Sequence, residues 1–222
     1  MVEPYFWLVT AHVVLFAYWL GGDFGVYVCS RYVVRPDLPI TERERFLDAL
    51  MAIDIMPRTA IVLLPAVGLQ LATMRGAVDI GAGGLAVVWL LDAIWLSVVW
   101  MAYRTLRQPS GARWQQIDVA WRFVLVAGLL WAGVQSLRQG TPVHSNWIAT
   151  KLLVYAALLM VGLYLRISIR GWRAGFARLR NGEQGPAVDA LFANAHRRAR
   201  YAAWLFWLLI ITMAWLGVTQ PF

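Results

Sequence analysis

The sequence predicts an all-α, polytopic transmembrane helical bundle of six spans with both termini on the outer (periplasmic) side. Three observations carry that prediction. Of 222 residues, 60% are hydrophobic and only 14% charged, with 13 Trp, whereas soluble domains hold about 25% charged residues. Mean hydropathy is +0.59. The apolar residues fall in runs close to the ~20 residues that a bilayer core requires. Finally, all but Arg75, Arg138 and Lys151 of the 20 basic residues lie in or beside alternate loops. By the positive-inside rule those loops are cytoplasmic, which puts the termini outside.

The spans run roughly over 5–29, 58–74, 84–103, 119–137, 147–167 and 200–218. No polar stretch between them exceeds about 30 residues, below the ~50 of an independent domain. Residues 1–222 therefore form a single transmembrane domain. The opening MVEPYFW has neither a basic n-region nor a small-residue cleavage site, so span one reads as a retained helix.

The first loop carries Arg31, Arg35, Arg43, Arg45 and Arg58. In it Thr41 stands three residues before Glu44, a capping-box spacing. Phe46, Leu47, Met51, Ile53 and Ile55 follow, which predicts an interfacial helix over about 42–56. Pro57 sits where a first helical turn tolerates proline, and Pro65 is expected to kink span two. Span three holds Asp92 near its middle, between Trp89 and Trp95. The next basic loop carries Arg104, Arg107 and Arg113, and span four runs from Asp118 through Arg122 to Gly133. Span five contains the only lysine, Lys151. The last basic loop turns at 181–186, and span six has no internal charge.

The polar residues inside the spans are the candidate functional groups, because a charge at mid-helix costs roughly 2.5–3.5 kcal/mol on insertion scales. At about 100° per residue, His12, Trp19 and Asp23 share one helical face within about 20°. His144, Lys151 and Tyr155 repeat that spacing at span five. Of the three histidines, only His12 and His144 share the outer half of the membrane. Neutral imidazoles at one depth in a helical bundle can ligate haem iron. Each group also has a plainer reading. His12 can bond across to another helix, and His144 can fix a helix end. His196, in HRRAR, can belong to a solvated basic cluster. Lys151 can snorkel to the interface. Asp23 can pair with Arg31 or Arg58. Asp92 must be protonated, paired or part of a proton path.

Other chemistries find less footing. Cys29 is the single cysteine, so no internal disulfide forms. The seven Met are scattered and no His cluster exists, which argues against a dedicated copper-transfer site. No phosphate-binding loop, catalytic serine motif or zinc spacing is present. The net charge of +8 is orientation and lipid-surface chemistry rather than nucleic-acid binding.

Spans four and five read RFVLVAGLLWAG from Arg122, WIATKLLV from Trp147 and LYLR to Arg166. This resembles the copper-resistance D (CopD) membrane family. The first span, HVVLFAYWLGG from His12, and MPRTAIVLLPAVGL from Met56 resemble the opening of that family. They also resemble the HemJ-type protoporphyrinogen oxidases, whose first helix carries a His followed by Trp and Gly. The HemJ resemblance implies haem b in a helical bundle, with His12 the matched histidine and Lys151 the matched lysine. The CopD resemblance implies a bacterial inner-membrane protein linked to copper handling.

The leading expectation is a haem b protein of the inner membrane. His12 is the axial iron ligand, with His144 or a neighbour opposite and Trp19 beside the cofactor. Lys151 binds a propionate or an anionic substrate group, and Asp92 carries a proton. Its activity is electron transfer or substrate oxidation with a quinone or a redox partner protein, in a homo- or hetero-oligomer or alone. Two alternatives stand beside it: a copper or small-solute permease without cofactor, and a structural subunit of a membrane complex.

Overall fold

A computed structural model describes residues 3–106 and 108–221; Arg107, counted above among the loop arginines, lies outside them. Seven helices follow in order: α1 (Pro4–Val33), α2 (Ile40–Met74), α3 (Ala82–Arg104), α4 (Gly111–Gln139), α5 (Asn146–Ser168), α6 (Arg170–Arg180) and α7 (Pro186–Thr219). The chain is 85% helical. Six helical segments are long and apolar enough to cross a membrane, α5 and α6 counting as one. The protein is a multi-pass membrane protein.

Each span packs against its neighbour in sequence, and α7 returns to α1, so the spans close a ring. The interior holds Trp19, Ile61, Trp95, Tyr155, Leu158, Leu159 and Phe206. Outward-facing side chains such as Trp7, Val124 and Leu208 are exposed and apolar, as lipid-facing positions must be.

Two elements differ from the sequence expectation. The segment 42–56 is helical, as expected, but is not separate from span two. It is the start of one continuous helix, α2, with Pro57 and Pro65 both inside it. Pro57 is tolerated because Gly22 of α1 lies against its ring: a Cβ on Gly22 would stand 2.7 Å from Pro57 Cγ and Cδ. The close approach of α1 holds the helix through the missing hydrogen bond. The stretch before span six is not a loop either. Helix α6 and the first turns of α7 form a hairpin around Gly182 and Gly185, whose φ of 83° and 118° suit glycine. The hairpin caps the arginine-rich end of the bundle. Its apolar side, with Trp172, Phe176, Val188 and Phe192, packs on Val33 and Leu50. Arg43, only 3% exposed, fastens it. Its Nε donates to the Val33 carbonyl at 2.8 Å and its guanidinium sits 3.9 Å from the Phe192 ring centroid.

At the opposite end the α2–α3 and α4–α5 loops are joined. Val78 and Val143 form an antiparallel bridge, and the His144 amide donates to the Ala77 carbonyl at 3.1 Å.

Candidate functional site

The interior polar groups fall into two storeys. One storey, outer in the orientation that the charge bias predicts, lies toward the termini of the chain. His12 projects from α1 onto Gly68 of α2; a Cβ there would stand 3.3 Å from His12 Cε1. Its Nδ1 is buried and makes no hydrogen bond. Lys151, from α5, is an electrostatic neighbour of His12. Its ammonium lies 5.6 Å from the Trp147 ring centroid and would be 3.0 Å from a Cβ on Gly217 of α7. Among the described residues Lys151 has no ion-pair partner. Two glycines thus make room for two polar heads, an imidazole with an open Nδ1 and an ammonium whose recorded contact is the Trp147 ring.

The inner storey lies toward the arginine-rich end. Asp118 of α4 is 1% exposed. It accepts hydrogen bonds from Trp95 Nε1 of α3 at 2.9 Å, from Arg122 Nε at 3.2 Å to each oxygen and from Arg166 Nη2 of α5. Arg58 of α2 donates from Nε to Asp54 at 2.6 Å and is an electrostatic neighbour of Asp118 and Asp23. Asp23 stands one turn from Trp19 on α1, and its Oδ2 has no partner. Guanidiniums from three helices thus surround buried carboxylates. A cavity of about 170 Å³ lies beside them, bounded on the far side by the α6–α7 cap.

The two predicted polar faces therefore divide differently from their spacing. His12 belongs to the outer storey, whereas Trp19 and Asp23, on the same face of α1, belong to the inner one. Lys151 joins His12. Tyr155, 5% exposed, donates instead to the Ile61 carbonyl. His144 stands in the outer loop ahead of α5, its side chain exposed. Its Nδ1 bonds the Gly140 carbonyl at 2.9 Å and its Nε2 bonds Asp79 at 2.7 Å. With both ring nitrogens engaged, His144 is a loop clip and offers no lone pair opposite His12. Asp92 is 8% exposed, with Oδ2 unpartnered. His196 is half-buried rather than fully solvated: its ring stacks on Tyr27 and it lines the inner cavity.

Among the described residues no three His, Cys, Asp or Glu side chains gather as they would to hold a bare metal ion. The fit for haem is narrower. The buried, unpartnered His12 Nδ1 suits one iron ligand, and Lys151 suits an anionic edge. Sequence reasoning gave no role to Asp54, Asp118 or Arg166. The signal for two of them was present: Asp54 and Arg58, and again Asp118 and Arg122, stand four residues apart inside apolar spans, the spacing of a same-helix ion pair.

No protein-family model, no curated protein and no solved structure matches this chain.

Proposed function

We propose that this chain is a bacterial inner-membrane haem b protein that works in membrane electron transfer or substrate oxidation. The observation that carries the reading is the outer storey: a buried imidazole nitrogen without a partner beside an ammonium without a counter-ion. The resemblance to HemJ-type proteins implies the same two residues, His12 in span one and Lys151 in span five. The arginine-rich loops orient both termini outward, so this storey lies in the outer half of the membrane.

Haem in that position supplies one-electron chemistry, which the protein tunes through the axial ligand and its surroundings. His12 would supply an iron ligand through its open Nδ1, and His144 would have to give up its bonds to Gly140 and Asp79 to supply another. Lys151 binds a propionate or an anionic group of the substrate as a point charge. Asp92, buried in α3 as an electrostatic neighbour of Tyr155, holds or passes a proton between the storeys. A quinone or a redox partner protein takes or supplies the electrons.

The test is an absorption spectrum of detergent-purified protein, oxidised and dithionite-reduced, with a pyridine haemochrome assay. A Soret band, sharp reduced α and β bands and near-stoichiometric haem are expected, lost in His12→Ala. A featureless visible spectrum from protein made with ample haem, or full haem content in His12→Ala, overturns the assignment.

A further inference from the structure

The inner cavity is a second, separate site. We propose that it binds a phosphoryl-type oxyanion, presented by free phosphate or by a lipid headgroup at the arginine-rich face. The cavity, about 170 Å³, is lined by Arg58, Arg122, Arg166 and Arg200 against the carboxylates of Asp23 and Asp54, together with Trp172 and His196, so its wall carries an excess of basic groups. A water takes up about 30 Å³ of liquid volume, so the space holds several waters or one small oxyanion with its shell.

Two features point to a ligand rather than to ion pairing alone. The Trp172 indole is only 4% exposed. Its Nε1, which can only donate, has no acceptor. Arg200 Nε and His196 Nδ1, on the same wall, are also buried without a partner. An unmet buried donor costs about 1–3 kcal/mol, and a charged one more. Two unmet donors, Trp172 Nε1 and Arg200 Nε, stand beside one cavity with the open Asp23 Oδ2 and His196 Nδ1, and they call for an occupant that brings acceptor oxygens. The second feature is direction. Arg58, Arg122 and Arg166 come from α2, α4 and α5, Trp172 from α6 and Arg200 from α7. Arg58, Arg122 and Arg166 each keep a carboxylate partner, Asp54 or Asp118. Their remaining N–H groups, with Trp172 and Arg200, line the cavity from five helices. That arrangement suits a tetrahedral anion with several terminal oxygens better than a planar carboxylate with two. Arginine, which is always charged and forked, is the side chain that such groups select.

The two sources share that chemistry and separate by experiment. The full-length protein is reconstituted in zwitterionic-lipid nanodiscs and titrated with inorganic phosphate while thermal stability is followed. It is also reconstituted with phosphatidic acid in place of free phosphate. Stabilisation by phosphate assigns the soluble source, and stabilisation by phosphatidic acid alone assigns the headgroup. Trp172→Phe keeps the ring and removes the N–H; Arg200→Gln removes the charge. Each is expected to weaken binding about tenfold, the equivalent of one charge-assisted hydrogen bond. Both should melt close to wild type when ligand is absent and keep the haem spectrum, which separates this site from the His12 site. No stabilisation by either ligand, or wild-type affinity in both variants, overturns the proposal and leaves the cavity a hydrated ion-pair network only.

Discussion

The Tyr155 hydroxyl donates to the Ile61 carbonyl across 2.5 Å, joining α5 to α2 in the centre of the bundle. Ile61 is four residues before Pro65, which has no N–H to return the helical hydrogen bond. The carbonyl is therefore released by the sequence of one helix and satisfied by the side chain of another. Tyr155→Phe should destabilise the protein by about 1–3 kcal/mol, the cost of a buried orphan acceptor. In a Pro65→Ala background the helix recovers its own donor, and the same substitution should cost much less. Thermal melts of the four proteins of this cycle measure the difference; equal costs in both backgrounds would refute the pairing.

Asp118 is the anchor of the inner storey, with Trp95, Arg122 and Arg166 all donating to it. Asp118→Asn strands buried guanidiniums and should cost about 3–5 kcal/mol, seen as lost yield or a much lower melting point in detergent. Trp95→Phe removes one hydrogen bond and should cost about 1 kcal/mol besides its change in packing.

Gly68 leaves His12 little spare room, with its would-be Cβ 3.3 Å from the imidazole. Gly68→Val should displace the ring and lower the haem-to-protein ratio measured by pyridine haemochrome. An unchanged ratio would count against His12 as the iron ligand.

His144 gives a pH-dependent outer loop. The Asp79 carboxylate bonded to its Nε2, followed by the Gly140 carbonyl at Nδ1, raises its pKa above the ordinary 6.5. A raised folded value means the protonated form is favoured in the folded loop. That stabilisation is complete below the unfolded pKa and fades as pH climbs through the folded one. Hydrogen exchange at the Ala77–His144 contact, corrected for intrinsic rate, should show more opening at pH 9 than at pH 6. Asp79→Asn should flatten the difference.

Arg43 holds the α6–α7 cap by its Val33 hydrogen bond and its stack on Phe192. Arg43→Ala should loosen the cap by about 2 kcal/mol or more. The readout is faster cleavage after Glu183, which lies in the exposed turn between α6 and α7. Arg180→Ala removes only the exposed pair with Glu44 and should change cleavage little.

The membrane spans were legible in the sequence because an apolar run of fixed length is a strong signal. The extensions were not. Residues 186–199 are polar enough to read as loop, and the helix expected over 42–56 carried no signal that it continues through Pro57 into span two. Both segments are held by contacts with each other and with Val33, distant in sequence. Pro57 argued for a helix start, and only the neighbouring Gly22 explains why it sits inside one. Helical period correctly aligned His12 with Asp23, but eleven residues of helix are about 16 Å, enough to divide them between two sites. His144 shared a period with Lys151 on paper; α5 begins only at Asn146, after it. The pairs Asp54–Arg58 and Asp118–Arg122 were readable from their spacing alone, whereas Arg166 meeting Asp118 across 48 residues was not.

Those same-helix pairs bear on how the chain is made. A helix entering the membrane from the ribosome carries its buried charges before later helices exist. Asp54 arrives with Arg58 one turn behind, and Asp118 with Arg122. Each carboxylate is neutralised by the segment that delivers it, so insertion need not wait for a partner span. His12, Asp23, Asp92 and Lys151 have no such companion in the next turn of their own helix. In the finished bundle His12, Asp23 and Asp92 each keep an open polar atom, and among the described residues Lys151 has no counter-ion. Spans one, three and five, which bring them in, are therefore the ones whose integration should depend most on the spans that follow.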